Sequence, residues 1–482
     1  MKKIFAVSVL LVLFLLLGSA YATEGNETQT LKLDNEEHIS VPNDESTFSQ
    51  LKNEISSGGD INLSHSSYIF DSGTTIEITN PGTIDGKGAV IDMVGSWDVC
   101  VFKVYCDGVI IKNMTFKNAH STYYGSAIYF NSSGTVVDCN FINNTADAAG
   151  AVFFENTGTI KRSNFTQNQA SIGYGGAAYF YSSGIVEDCI FTDNKATSGG
   201  AIYFGEYGHV KNSTFDHNSA ASQGGAINEY GYVLIEESNF TDNSADRGGT
   251  VYSRNGGELS GCNFINNSAT YGGAVYFIEE ATLNKCNFTE NKASAGGVAY
   301  FYYMGKVNLC NFTANSATNG GAIYFRGEGI INLCNFTVNS ATNGGAMYFE
   351  GNGNVNDCNL TANTATNGGA IYFNKFATMN NNYFTENEAK HYGGALYLVQ
   401  SNTIEKSYFT SNKAQVGGAF YISADGTVKN SEFKNNTANY GAAFFLGYDS
   451  SILIEDTDDD IASSDSDSFH AVHATKKYEK SI

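Results

Sequence analysis

Val307-Asn308-Leu309-Cys310-Asn311-Phe312-Thr313-Ala314-Asn315 is followed by Gly320-Gly321-Ala322-Ile323-Tyr324-Phe325. The pair then returns as Ile331-Asn332-Leu333-Cys334-Asn335-Phe336-Thr337-Val338-Asn339 and Gly344-Gly345-Ala346-Met347-Tyr348-Phe349. The phenylalanine of the first motif can be followed through Phe116, Phe141, Phe165, Phe191, Phe215, Phe240, Phe264, Phe288, Phe312, Phe336, Leu360, Phe384, Phe409 and Phe433. From the second glycine position to the next member of this row there are 15 residues in all 13 intervals. From the row to the following second-glycine position there are usually 9, but 10 after Phe116, Phe215 and Phe384 and 11 after Phe165. A segment of fixed length holds strands whose register cannot slip without turning every side chain to the other face. The segment that accepts insertions holds the loop, as in a solenoid.

Alternation assigns the faces. Ile202 with Phe204, Val275 with Phe277 and Leu396 with Leu398 are apolar at every second position and belong inside, which turns the intervening tyrosines outward. In Val-x-x-Cys-Asn-Phe the cysteine and phenylalanine share the inner face. A period near 24 is too short for a propeller blade of about 40–45 residues and too long for the hexapeptide helix, and the leucine-rich pattern is absent. The reading is an all-β, single-stranded right-handed parallel β-helix of about fourteen regular coils, with a few irregular N-terminal coils. At about 4.8 Å per coil the regular part makes a rod roughly 70 Å long.

The expected organisation is a signal peptide at 1–22, a polar linker at 23–46, a cap with opening coils at 47–115, regular repeats at 116–447 and an acidic tail at 448–482. Lys2 and Lys3 precede an apolar run from Ile4 to Leu17, and Ala20-Tyr21-Ala22 offers the cleavage site. The expected product is exported, secreted or held at the cell surface, with no membrane span. Thr47-Phe48-Ser49-Gln50-Leu51 reads as a capped helical turn over the first coil, and Ile452 to Ile454 contributes to the far end. Cleavage at 22 leaves 25 basic against 49 acidic residues, a net charge of −24. That balance excludes nucleic acid and anionic membrane as partners.

Gly-Gly-Ala-Ile with Phe-x-x-Asn resembles the paired tetrapeptides of polymorphic outer-membrane proteins, which are β-helical surface adhesins. Thr83-Ile84-Asp85-Gly86-Lys87-Gly88 and Val109-Ile110-Ile111-Lys112-Asn113-Met114-Thr115-Phe116 resemble the first coils of pectin-lyase-like repeats. Taken together, Thr47 to Leu446 is similar to the adhesin-like proteins of methanogenic archaea. The outer-membrane family ends in a membrane barrel, for which this sequence has no counterpart. The resemblance implies a non-catalytic β-helix that binds other cells, surface proteins or polysaccharides; the alternatives are a polysaccharide lyase or hydrolase on the same fold, or a structural envelope protein.

Several residue rows are candidates for structure or for function. The asparagine three places after phenylalanine, from Asn144 to Asn436, recurs in 13 coils and reads as an amide stack holding a turn. Seven cysteines share one position with serines, Cys139, Cys189, Cys262, Cys286, Cys310, Cys334 and Cys358, and read as buried free thiols. The outward tyrosines are the binding candidates, chiefly Tyr252, Tyr276, Tyr300, Tyr324, Tyr348 and Tyr372. Their rings either stack on sugar faces or protein groups, or stabilise one another along the sheet. One break stands out: Asn228-Glu229 replaces Tyr-Phe and Ser253 replaces Phe, with Arg247 and Arg254 close by. A carboxylate beside arginines is what a β-helical polysaccharide lyase or hydrolase needs; otherwise the break is a local loosening of the stack. The eight histidines show no ligand-like spacing, and neither a metal nor a cofactor is expected. Fourteen Asn-x-Ser/Thr sequons are present.

Overall fold

The computed structural model describes residues 44–447 and 450–455. The expected signal peptide, the linker up to residue 43 and the tail beyond residue 455 lie outside the described residues. The fold is a right-handed parallel β-solenoid of about seventeen turns. Each regular coil contributes three short strands, such as Ile323–Phe325, Glu328–Asn332 and Asn335–Thr337. Each pairs in parallel with its counterpart one coil on: Tyr324 with Tyr348, Ile331 with Val355, Phe336 with Leu360. Strands of the first kind form a sheet of 16, and the other two kinds form one of 32.

The paired glycines are required for two different reasons. Gly320 has φ +63°, and a Cβ there would meet the Ile323 carbonyl oxygen at 2.1 Å. Gly321 has ordinary backbone, but its Cβ would lie 1.9 Å from the Gly345 oxygen of the next coil. The first makes the corner and the second lets coils approach. The other two corners use residues of no special type, such as Leu309 at φ 55° and Ala314 at φ 56°. Composition gives no warning of these positions.

Inside, the assigned faces hold. Ile323, Phe325, Ile331, Cys334 and Phe336 are all fully buried. Phenylalanines of successive coils lie ring on ring, with Phe312 and Phe336 at 4.6 Å and 2°. A fully buried phenylalanine contributes about 2–3 kcal/mol, so this row supplies stability. The asparagine row supplies register. Asn315 Nδ2 donates one hydrogen to the Phe288 carbonyl and the other to Asn339 Oδ1, while its own Oδ1 accepts from the backbone and side-chain nitrogens of Asn291. Every polar atom of that side chain is therefore paired with no water reaching it. A net bond of this kind contributes about 1 kcal/mol, but leaving one unmade inside costs more.

All nine cysteines are free, and the seven of the repeat are buried. Burial pushes the Cys139 and Cys189 thiols up to about 12, so they are packing groups rather than nucleophiles.

At the first end the strand Glu45–Thr47, which begins inside the expected linker, pairs with Ser67–Ile69. The helix Phe48–Ile55 follows, with Thr47 Oγ1 accepting from the Gln50 amide and Phe48, Leu51 and Ile55 buried. At the other end Ile452–Glu455 pairs with Gly426–Lys429.

Candidate binding face

The tyrosine row lies on the outside of the 16-stranded sheet, and its rings have found each other. From Tyr252 through Tyr276, Tyr300, Tyr324, Tyr348, Tyr372 and Tyr397 to Tyr421, successive centroids are 4.6–5.3 Å apart and planes agree within 17°. Tyr252, Tyr276 and Tyr300 are only 6–8% exposed, and the others are half-buried. The tyrosines do face away from the core, and of the two readings of the row the stacked arrangement is the one found. In-register strands bring identical rings to stacking distance, so each π face is occupied by the next tyrosine. Only edges and hydroxyls remain, and some hydroxyls are engaged, as Tyr324 Oη is to Glu350 at 2.7 Å. Burial, reinforced by neighbouring tyrosines, pushes Tyr276 up to about 12. Toward the first end the row is broken by Phe153 and Asn228 and the rings tilt, as for Tyr179 and Tyr203 at 75°.

The break at Asn228-Glu229 keeps its register: Phe204 pairs with Glu229, Glu229 with Ser253, and Ser253 with Phe277. Glu229 thus sits in the phenylalanine column, wholly buried. Its Oε2 lies 2.9 Å from Ser253 Oγ, which in turn lies 2.6 Å from the Gly256 carbonyl oxygen. The single hydroxyl hydrogen of Ser253 is shared between two acceptors, Glu229 Oε2 and the Gly256 carbonyl. Oε1 has no hydrogen-bond partner. Burial raises the Glu229 carboxyl to about 8, with the Ser253 hydrogen bond opposing it only in part. The arginines stay outside. Arg254 covers the Tyr230 ring at 4.4 Å and Arg247 approaches Asp246 at 3.8 Å. The structure does not bring Glu229, Arg247 and Arg254 together, because strand alternation sends the carboxyl inward.

Other exposed groups repeat from coil to coil. Asn263, Asn287, Asn311, Asn335 and Asn359 each donate Nδ2 to Oδ1 of the asparagine one coil back at 2.8–2.9 Å. Asn332 and Asn356, and Asn343 and Asn367, extend two further amide columns at 2.9–3.0 Å.

The reading of the sequence missed two features. His217 Nδ1 lies 2.9 Å from Asp216, and the ligating atoms of Asp216, His217 and Asp242 fall within 4.8 Å of one another. Sequence spacing does not reveal this group, since a neighbouring coil supplies Asp242. The Asp216 hydrogen bond raises the imidazole pKa. The second feature is a set of exposed apolar side chains on the loop edge of the opening coils: Trp97, Tyr123, Tyr124, Ile172 and Tyr174. The longer intervals after Phe116 and Phe165 were the signal, for four of these residues lie in them.

Among the described residues no helix is long and apolar enough to cross a membrane. A family model described as the right handed beta helix region matches residues 150–314. Neither the curated proteins nor the solved structures compared with the chain include a match.

Proposed function

We propose that the chain is an exported, adhesin-like rod that binds a partner cell, a surface protein or a polysaccharide through its repetitive outer face, without catalysis. The observation that carries this reading is the set of outer amide columns, which present the same group at every coil from Asn263 to Asn359. A partner with its own repeat meets that group many times, and weak contacts add through effective concentration. Catalysis needs one distinctive local site, and fold alone does not supply it. The arrangement that favoured a lyase or hydrolase drew on Glu229, Arg247 and Arg254, and the inward carboxyl removes that support. Export rests on the pattern of residues 1–22, and a surface location on the resemblance to archaeal adhesin-like proteins.

The test is direct. Labelled full chain is offered to intact co-resident cells and to a glycan array, beside a reducing-end assay on uronate polymers. Saturable binding with no product supports the proposal; no binding to cells or glycans, or any turnover, sinks it.

A further inference from the structure

We infer that the loop edge of the opening coils is a docking platform for a neutral polysaccharide, with Trp97, Tyr123, Tyr124, Ile172 and Tyr174 as its contact residues. The inference rests on the binding reading above and adds to the repetitive outer face a second site, with its own ligand class.

These side chains are the opposite of the tyrosine row in exposure. Trp97 is 74% exposed, Tyr123 70% and Ile172 73%, with Tyr124 and Tyr174 near half. They follow one edge of the coils, with Asp147 and Ala148 between Tyr123–Tyr124 and Ile172–Tyr174. Asp98 Oδ1 accepts from the amide and hydroxyl of Thr122 at 2.9 and 2.6 Å, which sets Trp97 beside Tyr123. The Tyr123 carbonyl accepts from Asp147 N, and the Asp147 carbonyl accepts from Ile172 N. The group therefore follows four successive coils, about 14 Å along the rod at the usual strand spacing.

Three of the rings are also backed. Trp97 stacks on His120 at 4.3 Å and 15°, Tyr124 on Phe153 at 4.8 Å and 27°, and Tyr174 leans on Tyr203 at 4.6 Å. Each has one face held by the protein and the other free. A ring fixed in that way loses little entropy when it receives a ligand. Its electron-rich face attracts the polarised C–H groups on the flat side of a sugar ring. Asp98 and Asp147 stand between the rings as acceptors for sugar hydroxyls.

Charge chooses among polysaccharides. The chain carries a net charge of −22, and the platform holds two aspartates and no lysine or arginine. Nothing there compensates a uronate or sulfate, so a polyanion is repelled and an uncharged chain is not. The row's direction along successive coils suits an extended polymer. The aromatic edge also continues inward, through Tyr124 and Tyr174, to Tyr179, which both approach edge-on at 6.1–6.3 Å.

Trp97 is the sole tryptophan, so the protein reports on its own platform. The full chain is titrated with dextran, mannan and a soluble β-glucan, and with polygalacturonate as the anionic comparator, while Trp97 emission and acrylamide quenching are followed. At least one neutral polymer is expected to shift the emission to the blue and protect Trp97 from acrylamide, with polygalacturonate inert. Trp97→Ala, followed by polymer retardation on native gels, should weaken binding about tenfold, the scale of losing one well-stacked ring. Tyr123→Ala should weaken it severalfold while leaving Trp97 as a reporter. Both side chains are exposed, so both variants keep the wild-type melting point. If the chain binds a neutral glycan but neither variant weakens it and Trp97 emission is unmoved, this inference falls and the binding reading stands. If cells are bound but no neutral polymer is, the edge takes a protein instead and the inference is overturned. Failure to bind cells and glycans alike overturns both.

Discussion

Replacing Glu229 by glutamine should stabilise the rod above about pH 4.5, and increasingly so up to about pH 8. The folded chain holds this carboxyl protonated up to about pH 8, where an unfolded glutamate releases its proton near 4.5. Below pH 4.5 both states are protonated and the residue brings no pH-dependent penalty. Between 4.5 and 8 only the unfolded chain gives up its proton, so stability falls as pH rises; above 8 the loss is complete. At about 1.36 kcal/mol per decade the difference amounts to about 5 kcal/mol at pH 9. Glutamine keeps the shape and an oxygen that accepts from Ser253 Oγ, and it carries no charge at any pH. A rod of repeats need not unfold in one step, so the assay is amide hydrogen exchange of Ile227–Glu229 and Val251–Ser253, read beside thermal melts. Wild type and Glu229→Gln should exchange alike at pH 4 and diverge progressively toward pH 9, with the variant better protected. A difference that is the same at both pH values would refute the protonated, inward-facing carboxyl. Restoring the column with Glu229→Phe and Ser253→Phe together should also abolish the pH dependence.

Other outcomes follow from the same packing. Tyr300→Ala opens a gap between Tyr276 and Tyr324 and should cost about 2–4 kcal/mol, seen as a lower melting point with unchanged binding to cells; lost binding at an unchanged melting point would make the row a contact surface. Asn315→Ala orphans two donors on Asn291 and the Phe288 carbonyl, a loss of roughly 3–9 kcal/mol at about 1–3 kcal/mol per orphaned group, measurable as faster exchange in the coils on either side. The nine cysteines are free and seven of them are buried, so thiol titration without reductant should find few reactive groups in native protein and close to nine after denaturation. The sequons at Asn287, Asn311, Asn335 and Asn359 sit on adjacent coils, about 4.8 Å apart, too close for a glycan on each. Asn239 stands at the foot of that amide column, where its Oδ1 accepts from Asn263 and its Nδ2 has no partner among the described residues. Glycopeptide mapping from a glycosylating host should find Asn239 occupied and no two adjacent column sequons occupied on one chain.

The sequence alone determined the solenoid, its register and its inner face. A motif spaced by a constant 15 residues permits one pairing, because a slip of one residue would bury the tyrosines and expose the phenylalanines. The amide ladder and the free thiols were legible for the same reason: a repeat places identical side chains over one another, and small Cys or Ser with Asn at fixed positions states what the turn needs. What only the tertiary structure decided was how much of each outward side chain remains free. Alternation says that Tyr300 faces out, but its exposure depends on the rings above and below it, and those occupy its faces. Adjacent coils made Glu229 look like a partner for Arg247 and Arg254, but alternation sends the carboxyl inward and leaves the arginines outside. The exposed edge at Trp97, Tyr123 and Ile172 belongs to loops that obey no repeat, and so its contiguity came only from the hydrogen bonds that set one coil upon the next.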